Sequence, residues 1–293
     1  MPRLSFLVFL VLLTACADDP GPRRIAVTLD DAPIVKPLSY ADQWERLSAV
    51  DTLIQVLNDH QAPTTIFVIG SDLENPDALP LLNRWTEAGA RVANHSLSHR
   101  SFNDLPLDEG AREIAQAQAR ISRVVSPEQV ARFFRFPFLE KGRTAAERDR
   151  WQGVLDSLAL KAAPATITTD DWRFDNQYAE AELAEDWDAR YRVGQEYLAH
   201  VKESVQLWDR LGTDLYGRNV SHVLMLHANR INRDYLDEIL AWLRAEGFEF
   251  ISLEEAYRDP LYREETTWLG ASGVSLLEQI KQTRLAEGRA IAP

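Results

Sequence analysis

The sequence predicts an α/β protein, built as a (β/α) barrel in a single domain. Short β-rich runs alternate with helical patterns about seven times along the 293 residues, which is typical of parallel βαβ units. A chain of this length allows one large domain or two small ones, but seven strands suit a closed or nearly closed barrel better. In such a barrel the reactive side chains are expected at the carboxyl ends of the strands.

The predicted strands are short apolar runs that end in polar or turn residues. They lie in the segments RIAVTLDD, PTTIFVIG (strand residues 64–69), EAGARVANHS (strand near 91–94), ARFFRFPF, PATITTDDW, SHVLMLHAN and FEFISLEEA. Apolar residues at helical spacing mark the helices between them. They place Trp44, Leu47, Val50, Ile54 and Leu57 on one helix face, and Ile114, Ile121 and Val125 on another.

Two regions lie outside the simple alternation. Residues 178–211 predict a helical insertion, interrupted by Gly194, with one apolar stripe formed by Leu183, Trp187, Tyr191, Leu198, Val201, Val205 and Trp208. We expect a pair of helices packed on the barrel, with a substrate-lining role as the alternative. The C-terminal extension 259–293 contains SGVSLLEQIKQTRLAEG, which predicts a further helix packed on the barrel.

The N-terminus predicts export and lipid anchoring. Arg3 precedes the apolar run Leu4 to Leu13, which is shorter than the ~20 residues of a membrane span and fits a signal peptide over residues 1–15. Leu13 to Cys16 resembles a bacterial lipobox, which predicts lipidation at Cys16. We expect residues 16–23 to form a tether and residues 24–258 to form the barrel. The predicted lipidation places the protein in a bacterial cell envelope, on the periplasmic or extracellular face. The alternative is an ordinary signal peptide with an incidental cysteine.

The net charge of −13 limits the possible partners. Nucleic-acid surfaces are built on clusters of Lys and Arg, so no nucleic-acid partner is expected. The charge also gives no support for electrostatic binding to anionic lipid. Membrane contact is therefore expected only through the lipid anchor.

Two pairs of polar residues predict a metal site. Asp30 and Asp31 follow the apolar run Ile25 to Leu29. They either begin a turn, or divide the roles of base and metal ligand between them. His95 and His99 are four residues apart and are either surface histidines or two ligands. Asp31 with both histidines makes a two-His, one-carboxylate set for a divalent metal ion, most simply Zn²⁺, with iron as the runner-up.

Three further strand ends carry candidate residues. Arg135 is either a solvated charge or the partner that holds Asp30 ionised. Trp172 is either core or an apolar wall for a sugar ring. His227 is structural or, beside a carboxylate such as Asp171, a protonated general acid.

The order of these motifs is the specific signal. TLDD, HxxxH, RxP, DDW and LH follow one another at strand ends between Arg24 and Tyr257, and this order resembles the polysaccharide deacetylase family (NodB-homology domain, carbohydrate esterase family 4). The resemblance implies a distorted, seven-stranded (β/α) barrel. The chain departs from the usual motifs at Leu29, Leu139, Thr168, Met225 and Ala228. None of these five is a metal ligand or a proton-transfer group.

The resemblance also implies a role for each candidate. Asp30 corresponds to the catalytic base and Asp31, His95 and His99 to the metal ligands. Arg135 corresponds to the residue that orients the base, and Phe138 to the one whose backbone N–H helps to bind the oxyanion. Asp171 corresponds to the acid that tunes the catalytic His227, and Trp172 to the aromatic groove wall.

These roles predict a metal-dependent hydrolase that removes acetyl groups from N-acetylated sugars of a cell-envelope or extracellular polysaccharide. Peptidoglycan, poly-N-acetylglucosamine and chitin-like oligomers all fit as the acetylated glycan. Two alternatives stay open. The first is an O-acetyl esterase or small cyclic-amide hydrolase on the same fold, and the second is a non-catalytic glycan-binding lipoprotein.

Overall fold

The computed structural model describes residues 20–33, 42–270, 273–289 and 291. The predicted signal peptide and residues 16–19 of the predicted tether, Cys16 among them, lie outside these described residues. Within the described part, no helix is both long and apolar enough to cross a membrane.

One parallel sheet forms the centre of the protein. Its strands are β1 (Arg23–Ala32), β2 (Thr64–Val68), β3 (Arg91–Asn94), β4 (Val130–Phe134), β5 (Lys161–Ala162), β6 (Ile167–Thr168), β7 (Ser221–His227) and β8 (Phe248–Phe250). Seven strands follow the order β5-β4-β3-β2-β1-β7-β6 and curl into a half-barrel. Strand β8 pairs with β1 at Arg23 to Ile25. These residues precede Val27, where the pairing of β1 with β2 begins. The predicted distorted (β/α) barrel is confirmed.

The strand prediction missed β5. Only Lys161 and Ala162 belong to it, and two residues are too few to show an alternating pattern. It pairs with Phe133 and Phe134 of β4, so it is recognisable only once the chain is folded.

The barrel is open between β5 and β6, and this seam is covered by Tyr257 and by the C-terminal extension that follows it. The Tyr257 hydroxyl donates to the carbonyl oxygen of Pro164 at 2.9 Å. The backbone N–H of Leu276 donates to the carbonyl oxygen of Ala165 at 2.7 Å. These bonds satisfy backbone groups of the connection between the two edge strands, which a sheet neighbour would otherwise bind.

The helices surround the sheet. They are α1 (Gln43–Asp59), α2 (Ala78–Glu87), α3 (Leu107–Val124), α4 (Ala145–Ser157), α5 (Asp171–Leu183), α6 (Trp187–Tyr216), α7 (Arg230–Ala245), α8 (Leu253–Ala256) and α9 (Leu276–Ala286). Val50 and Leu57 of α1 are buried as predicted, but Trp44 is 74% exposed. Trp44 lies in the first turn of α1, outside the cluster that buries the later turns.

The predicted insertion is the helical hairpin α5–α6, and its break is at residues 184–186, not at Gly194. Gly194 lies inside α6, where an added Cβ would be 1.9 Å from the Tyr235 hydroxyl oxygen, so the glycine permits close packing against α7. The predicted stripe is buried only in part. Leu198, Val201 and Val205 are buried, but Leu183, Trp187 and Tyr191 are exposed.

Candidate active site

A cavity of about 410 Å³ opens at the carboxyl ends of the central strands. Seven of the nine predicted active-site residues line it, namely Asp30, Asp31, His95, His99, Phe138, Trp172 and His227. The other two, Arg135 and Asp171, are buried behind its wall. None of the lining residues comes from 178–211, so the substrate-lining alternative for the insertion finds no support in this cavity.

A bulge at the end of β1 brings two carboxylates to the cavity. Strand neighbours normally point to opposite faces, and β1 continues through Asp30 and Asp31 to Ala32. However, Asp31 has φ 60°, and the pairing with β2 shifts register between Leu29 and Ala32. This irregularity lets both acids reach the same cavity. Both acids are therefore part of β1 and do not begin a turn.

Asp31, His95 and His99 form a cluster with the geometry of a metal site. One ligand atom from each lies within 4.8 Å of the others. The Asp31 Oδ1 atom is 3.6 Å from His95 Nε2 and 3.2 Å from His99 Nε2. Two imidazole nitrogens and one carboxylate oxygen are the donors that zinc accepts, and three protein ligands leave a position for water or substrate. The residues present therefore fit a divalent metal ion.

The tautomer of His95 also fits metal binding. Its Nδ1 lies 2.9 Å from the carbonyl oxygen of Arg135, which can only accept a hydrogen bond. The proton is therefore on Nδ1, and Nε2 keeps its lone pair for a metal.

A loop, not a helical turn, joins the two histidines. Residues 95–99 form no helix, and His99 has φ 56°. Glu113 of α3 holds this loop by accepting hydrogen bonds from the backbone N–H of Leu97 at 3.1 Å and of Ser98 at 2.8 Å. Glu113 was not predicted, because nothing in its helical pattern distinguishes it from a solvated acid.

Arg135 and Asp30 form a buried ion pair. The Arg135 Nη1 atom donates to Asp30 Oδ1 at 2.6 Å and to Thr28 Oγ1 at 2.8 Å, while its Nε donates to the carbonyl oxygen of Ala163 at 3.0 Å. The guanidinium also stacks over the ring of Phe67 at 3.9 Å. These contacts orient one oxygen of Asp30. The other, Oδ2, lies 3.8 Å from His95 Nε2, beside the metal cluster.

His227 and Asp171 form a second pair, in which Asp171 is buried and His227 faces the cavity. The His227 Nδ1 atom is 2.7 Å from Asp171 Oδ1, and the His227 backbone N–H donates to Asp171 Oδ2 at 2.7 Å. Burial alone would lower the pKa of His227, but the charge and hydrogen bond of Asp171 outweigh it and raise this pKa to about 10. Burial would likewise raise the pKa of Asp171, but the charge and hydrogen bonds of His227 lower it. The structure therefore contains a carboxylate and an imidazolium.

Two exposed aromatic side chains flank the cavity. Phe138 is 58% exposed, and Trp172 is 53% exposed, so neither is a core residue. The Phe138 ring lies against the His99 imidazole, with 4.7 Å between their centroids. Such surfaces suit the apolar face of a sugar ring.

Backbone strain concentrates around this cavity. Of the nine described non-glycine residues with a positive φ, five line it: Asp31, His99, Phe138, Leu139 and Asp170. This conformation is costly for residues with a Cβ and persists where the surrounding structure enforces it, typically at functional sites.

The sequence patterns missed several residues of the site. Additional lining residues include Glu140, Asp170, Asp175, Asn176, Asn229 and Gly273. Most lie in loops or in the first turns of helices, where no periodicity marks them. Asp170 was the one with a signal, since it adjoins Asp171 in the DDW motif.

Comparisons with known proteins agree with the motifs. Residues 17–156 match the family described as polysaccharide deacetylase. The chain is 30% identical over 121 residues to a chitooligosaccharide deacetylase from Bradyrhizobium sp., over 41% of this chain and 48% of that protein. It is 23% identical over 243 residues to the peptidoglycan-N-acetylglucosamine deacetylase PgdA of Listeria monocytogenes, over 82% of this chain and 40% of that protein. The chain thus spans less than half the length of these two relatives.

A solved structure agrees on the fold. A carbohydrate esterase family 4 (CE4) pseudoenzyme from Bacillus anthracis superposes with a TM-score of 0.56 at 16% identity, over 81% of this chain and 66% of that one. At this identity the likeness establishes the fold alone, so activity must be argued from the site. By sequence match over residues 17–156, this chain is similar to the polysaccharide deacetylase family, and it shares the fold of a CE4 structure.

Proposed function

We propose that this protein is a metal-dependent deacetylase that hydrolyses the acetamido group of N-acetylated sugars in a cell-envelope or extracellular polysaccharide. One observation carries the proposal. A three-residue metal cluster lies in the same cavity as a buried carboxylate, Asp30, and a carboxylate-paired histidine, His227. Amide hydrolysis needs these parts: a site for water, a group that takes its proton, and a group that protonates the amine.

Asp31, His95 and His99 would hold the metal, for which Zn²⁺ is our proposal. When bound, a divalent ion of this kind lowers the pKa of water and polarises a carbonyl oxygen. The donor set is compatible with other transition metals, so the ion is to be identified by measurement.

Asp30 is the proposed general base. Its Oδ1 is committed to Arg135 at 2.6 Å, and that charge-assisted bond keeps the carboxylate in one orientation. Its Oδ2 is next to the metal cluster and can take the proton of the attacking water. Arg135 therefore acts through Asp30 and does not contact the substrate.

His227 is the proposed general acid. Its Nδ1 proton is bound to Asp171, so Nε2 is the nitrogen that protonates the leaving amine. The raised pKa keeps this proton on the imidazole at neutral pH. The products are acetate and a free amino sugar.

The Pro137–Leu139 turn supplies the proposed oxyanion donor. Phe138 and Leu139 both have left-handed backbone angles, and the turn lines the cavity. The backbone N–H of Phe138 would donate to the oxygen of the tetrahedral intermediate, where charge develops.

The substrate assignment follows from the walls of the cavity and from the relatives. Phe138 and Trp172 offer apolar faces for sugar rings. The two sequence relatives are named for chitooligosaccharides and for the N-acetylglucosamine of peptidoglycan. We therefore place an N-acetylated glycan ahead of an O-acetylated one. We also propose a lipid anchor at Cys16 and a place in the bacterial envelope, on the strength of the lipobox-like sequence.

Acetate release tests the proposal. The full chain, solubilised in detergent and supplied with Zn²⁺, is offered N-acetylglucosamine oligomers, peptidoglycan and acetylated xylan, with Asp30→Asn as the blank. We expect release from one of the N-acetylated glycans. Release from xylan alone would make the protein an O-acetyl esterase. No release from metal-loaded protein would overturn the deacetylase and favour a small cyclic amide or glycan binding.

A further inference from the structure

A chain of buried hydrogen bonds runs from the inserted helix α6 to His227. The Tyr197 hydroxyl of α6 donates to Asn232 Oδ1 in the first turn of α7. The Asn232 Nδ2 atom donates to Asp171 Oδ2 at 2.6 Å. Asp171 in turn accepts from His227 Nδ1 through its other oxygen.

All three residues behind His227 are shielded from water. Tyr197 and Asn232 are fully buried, and Asp171 is 1% exposed. A buried hydrogen-bonding group that lost its partner here would have no water to replace it. Burial also raises the pKa of the Tyr197 phenol well above its usual value, so the hydroxyl keeps its proton and acts as the donor.

Three contacts together determine which way the Asn232 amide faces, and Tyr197 supplies one of them. The two Nδ2 hydrogens go to Asp171 Oδ2 and to the carbonyl oxygen of His227, at 2.6 and 2.9 Å. A rotated amide would place Oδ1 against these two acceptors, which repel it. The Tyr197 hydroxyl donates to Oδ1 on the other side of the amide and so supports the same orientation.

Asn232 in turn determines which Asp171 oxygen serves the histidine ring. Oδ2 accepts from Asn232, from the His227 backbone N–H at 2.7 Å and from Asn229 Nδ2 at 3.3 Å. Oδ1 is thereby directed to His227 Nδ1. Asn232 also binds the His227 carbonyl oxygen, so one amide holds both the carboxylate and the backbone of the residue that it orients.

We propose that Asn232 and Tyr197 are positioning residues that hold Asp171, and through it His227, in the geometry for proton donation. This inference rests on the proposed function, in which His227 is the general acid. It gives helix α6 a part in the reaction, although no residue of α6 lines the cavity.

Kinetics of single and combined variants test the proposal in the full-length, metal-loaded enzyme. We expect Asn232→Leu to lower kcat by about 10- to 100-fold, with KM and metal content unchanged, as outer-shell changes do elsewhere. Tyr197→Phe, which removes one hydroxyl, should lower kcat by about fivefold. In the His227→Ala background neither change should lower kcat further, because their effect passes through that side chain. A further loss of equal size there would overturn the proposal.

Tyr178→Phe is the matched control. Its hydroxyl is also on the hairpin and also bonds a carboxylate, Asp234 Oδ2, at 2.7 Å, but the chain to His227 does not include it. Its kcat should stay at the wild-type value. If Tyr197→Phe and Tyr178→Phe lowered kcat equally, the effect would be one of helix packing, and the proposal would fail.

A spectroscopic measurement keeps the inference separate from the deacetylase assignment. The Nδ1 proton of His227, assigned by its loss in His227→Ala, should give a protected low-field NMR signal. Tyr197→Phe and Asn232→Leu should speed its exchange with water, and Tyr178→Phe should not. Tyr197→Phe removes only an oxygen atom. If the His227 Nδ1 proton exchanged with water at the wild-type rate in this variant, the positioning role of Tyr197 would be refuted, whether or not the protein releases acetate.

Discussion

Asp30 and His227 are direct partners in the register of β1 and β7, two neighbouring parallel strands. The backbone N–H of Ala228 donates to the carbonyl oxygen of Asp30 at 3.1 Å, so the pairing continues to the end of both strands. Adjacent strands are ~4.8 Å apart. The proposed base and acid are therefore carried by one rigid ladder, while the histidine ligands come from the loop after β3.

Replacing Asp30 should separate catalysis from metal binding. Asp30→Asn keeps the size of the side chain and an oxygen for Arg135, but it cannot accept a proton. We expect acetate release to fall by about 10³-fold, with one metal ion still bound by Asp31, His95 and His99. Acetate assays and elemental analysis of the same sample check this. Near-wild-type turnover would show that another group is the base.

Replacing a histidine of the cluster should remove metal and activity together. His95→Ala takes away one of three proposed ligands, and the two that remain are too few for a stable site. The matched control is His60→Ala. The His60 Nε2 atom lies 2.8 Å from Asp237 Oδ1, and neither residue lines the cavity. This variant should keep the wild-type metal content. Full metal occupancy in His95→Ala would exclude the proposed ligand set.

The pKa of His227 should depend on the charge of Asp171. In metal-free Asp171→Asn the charge of Asp171 is gone, while burial and the attraction of Asp31 and Asp30 remain, so the pKa of His227 should fall well below about 10. NMR titration of the imidazole measures it directly. A value still near 10 would mean that Asp171 does not cause the shift.

The same pair links stability to pH. Since the folded-state pKa of His227 is raised, the pair stabilises the fold fully below pH 6.5 while Asp171 stays ionised, and this contribution is lost as the pH rises through about 10. The free energy of unfolding of the metal-free wild type should therefore fall in that window more than that of Asp171→Asn. If the free energy of unfolding fell equally with pH in the two proteins, the pair would not link stability to pH.

Gly273 should tolerate no side chain. A Cβ there would lie 1.9 Å from the carbonyl oxygen of Phe138, so the turn that carries the proposed oxyanion donor would have to move. We expect Gly273→Ala to lower stability by about 1–3 kcal/mol and to reduce acetate release without loss of metal. Gly153→Ala is the control, since nothing lies within 4 Å of its added Cβ. A Gly273→Ala protein as stable and active as this control would show that the turn is not held by the C-terminal segment.

Much of the site was predictable because its residues stand at strand ends. An apolar run followed by Asp, His or Arg marks a point where a buried strand meets a polar cavity, as at Leu29–Asp30 and Leu226–His227. In a parallel sheet all such points lie at one edge. The two pairings expected from the residues alone, Arg135 with Asp30 and Asp171 with His227, are both present.

Other features had no local signature. Asn232 and Tyr197 look like ordinary helix residues, and Glu113 looks like a solvated acid. Trp44 fits the apolar stripe of α1 but is exposed, because periodicity gives the direction of a side chain and not whether anything packs there. Strand β5 has two residues and exists only through its pairing with β4.

From the amino-acid sequence we could predict the barrel, the order of its motifs and the chemical groups available at the strand ends. These follow from periodicities and spacings along the chain. Only the folded chain shows which oxygen of each aspartate faces which partner, that a bulge turns Asp31 to the same cavity as Asp30, and that the C-terminal segment reaches Phe138. These contacts join residues more than 50 positions apart or depend on one backbone angle, and no local pattern encodes either.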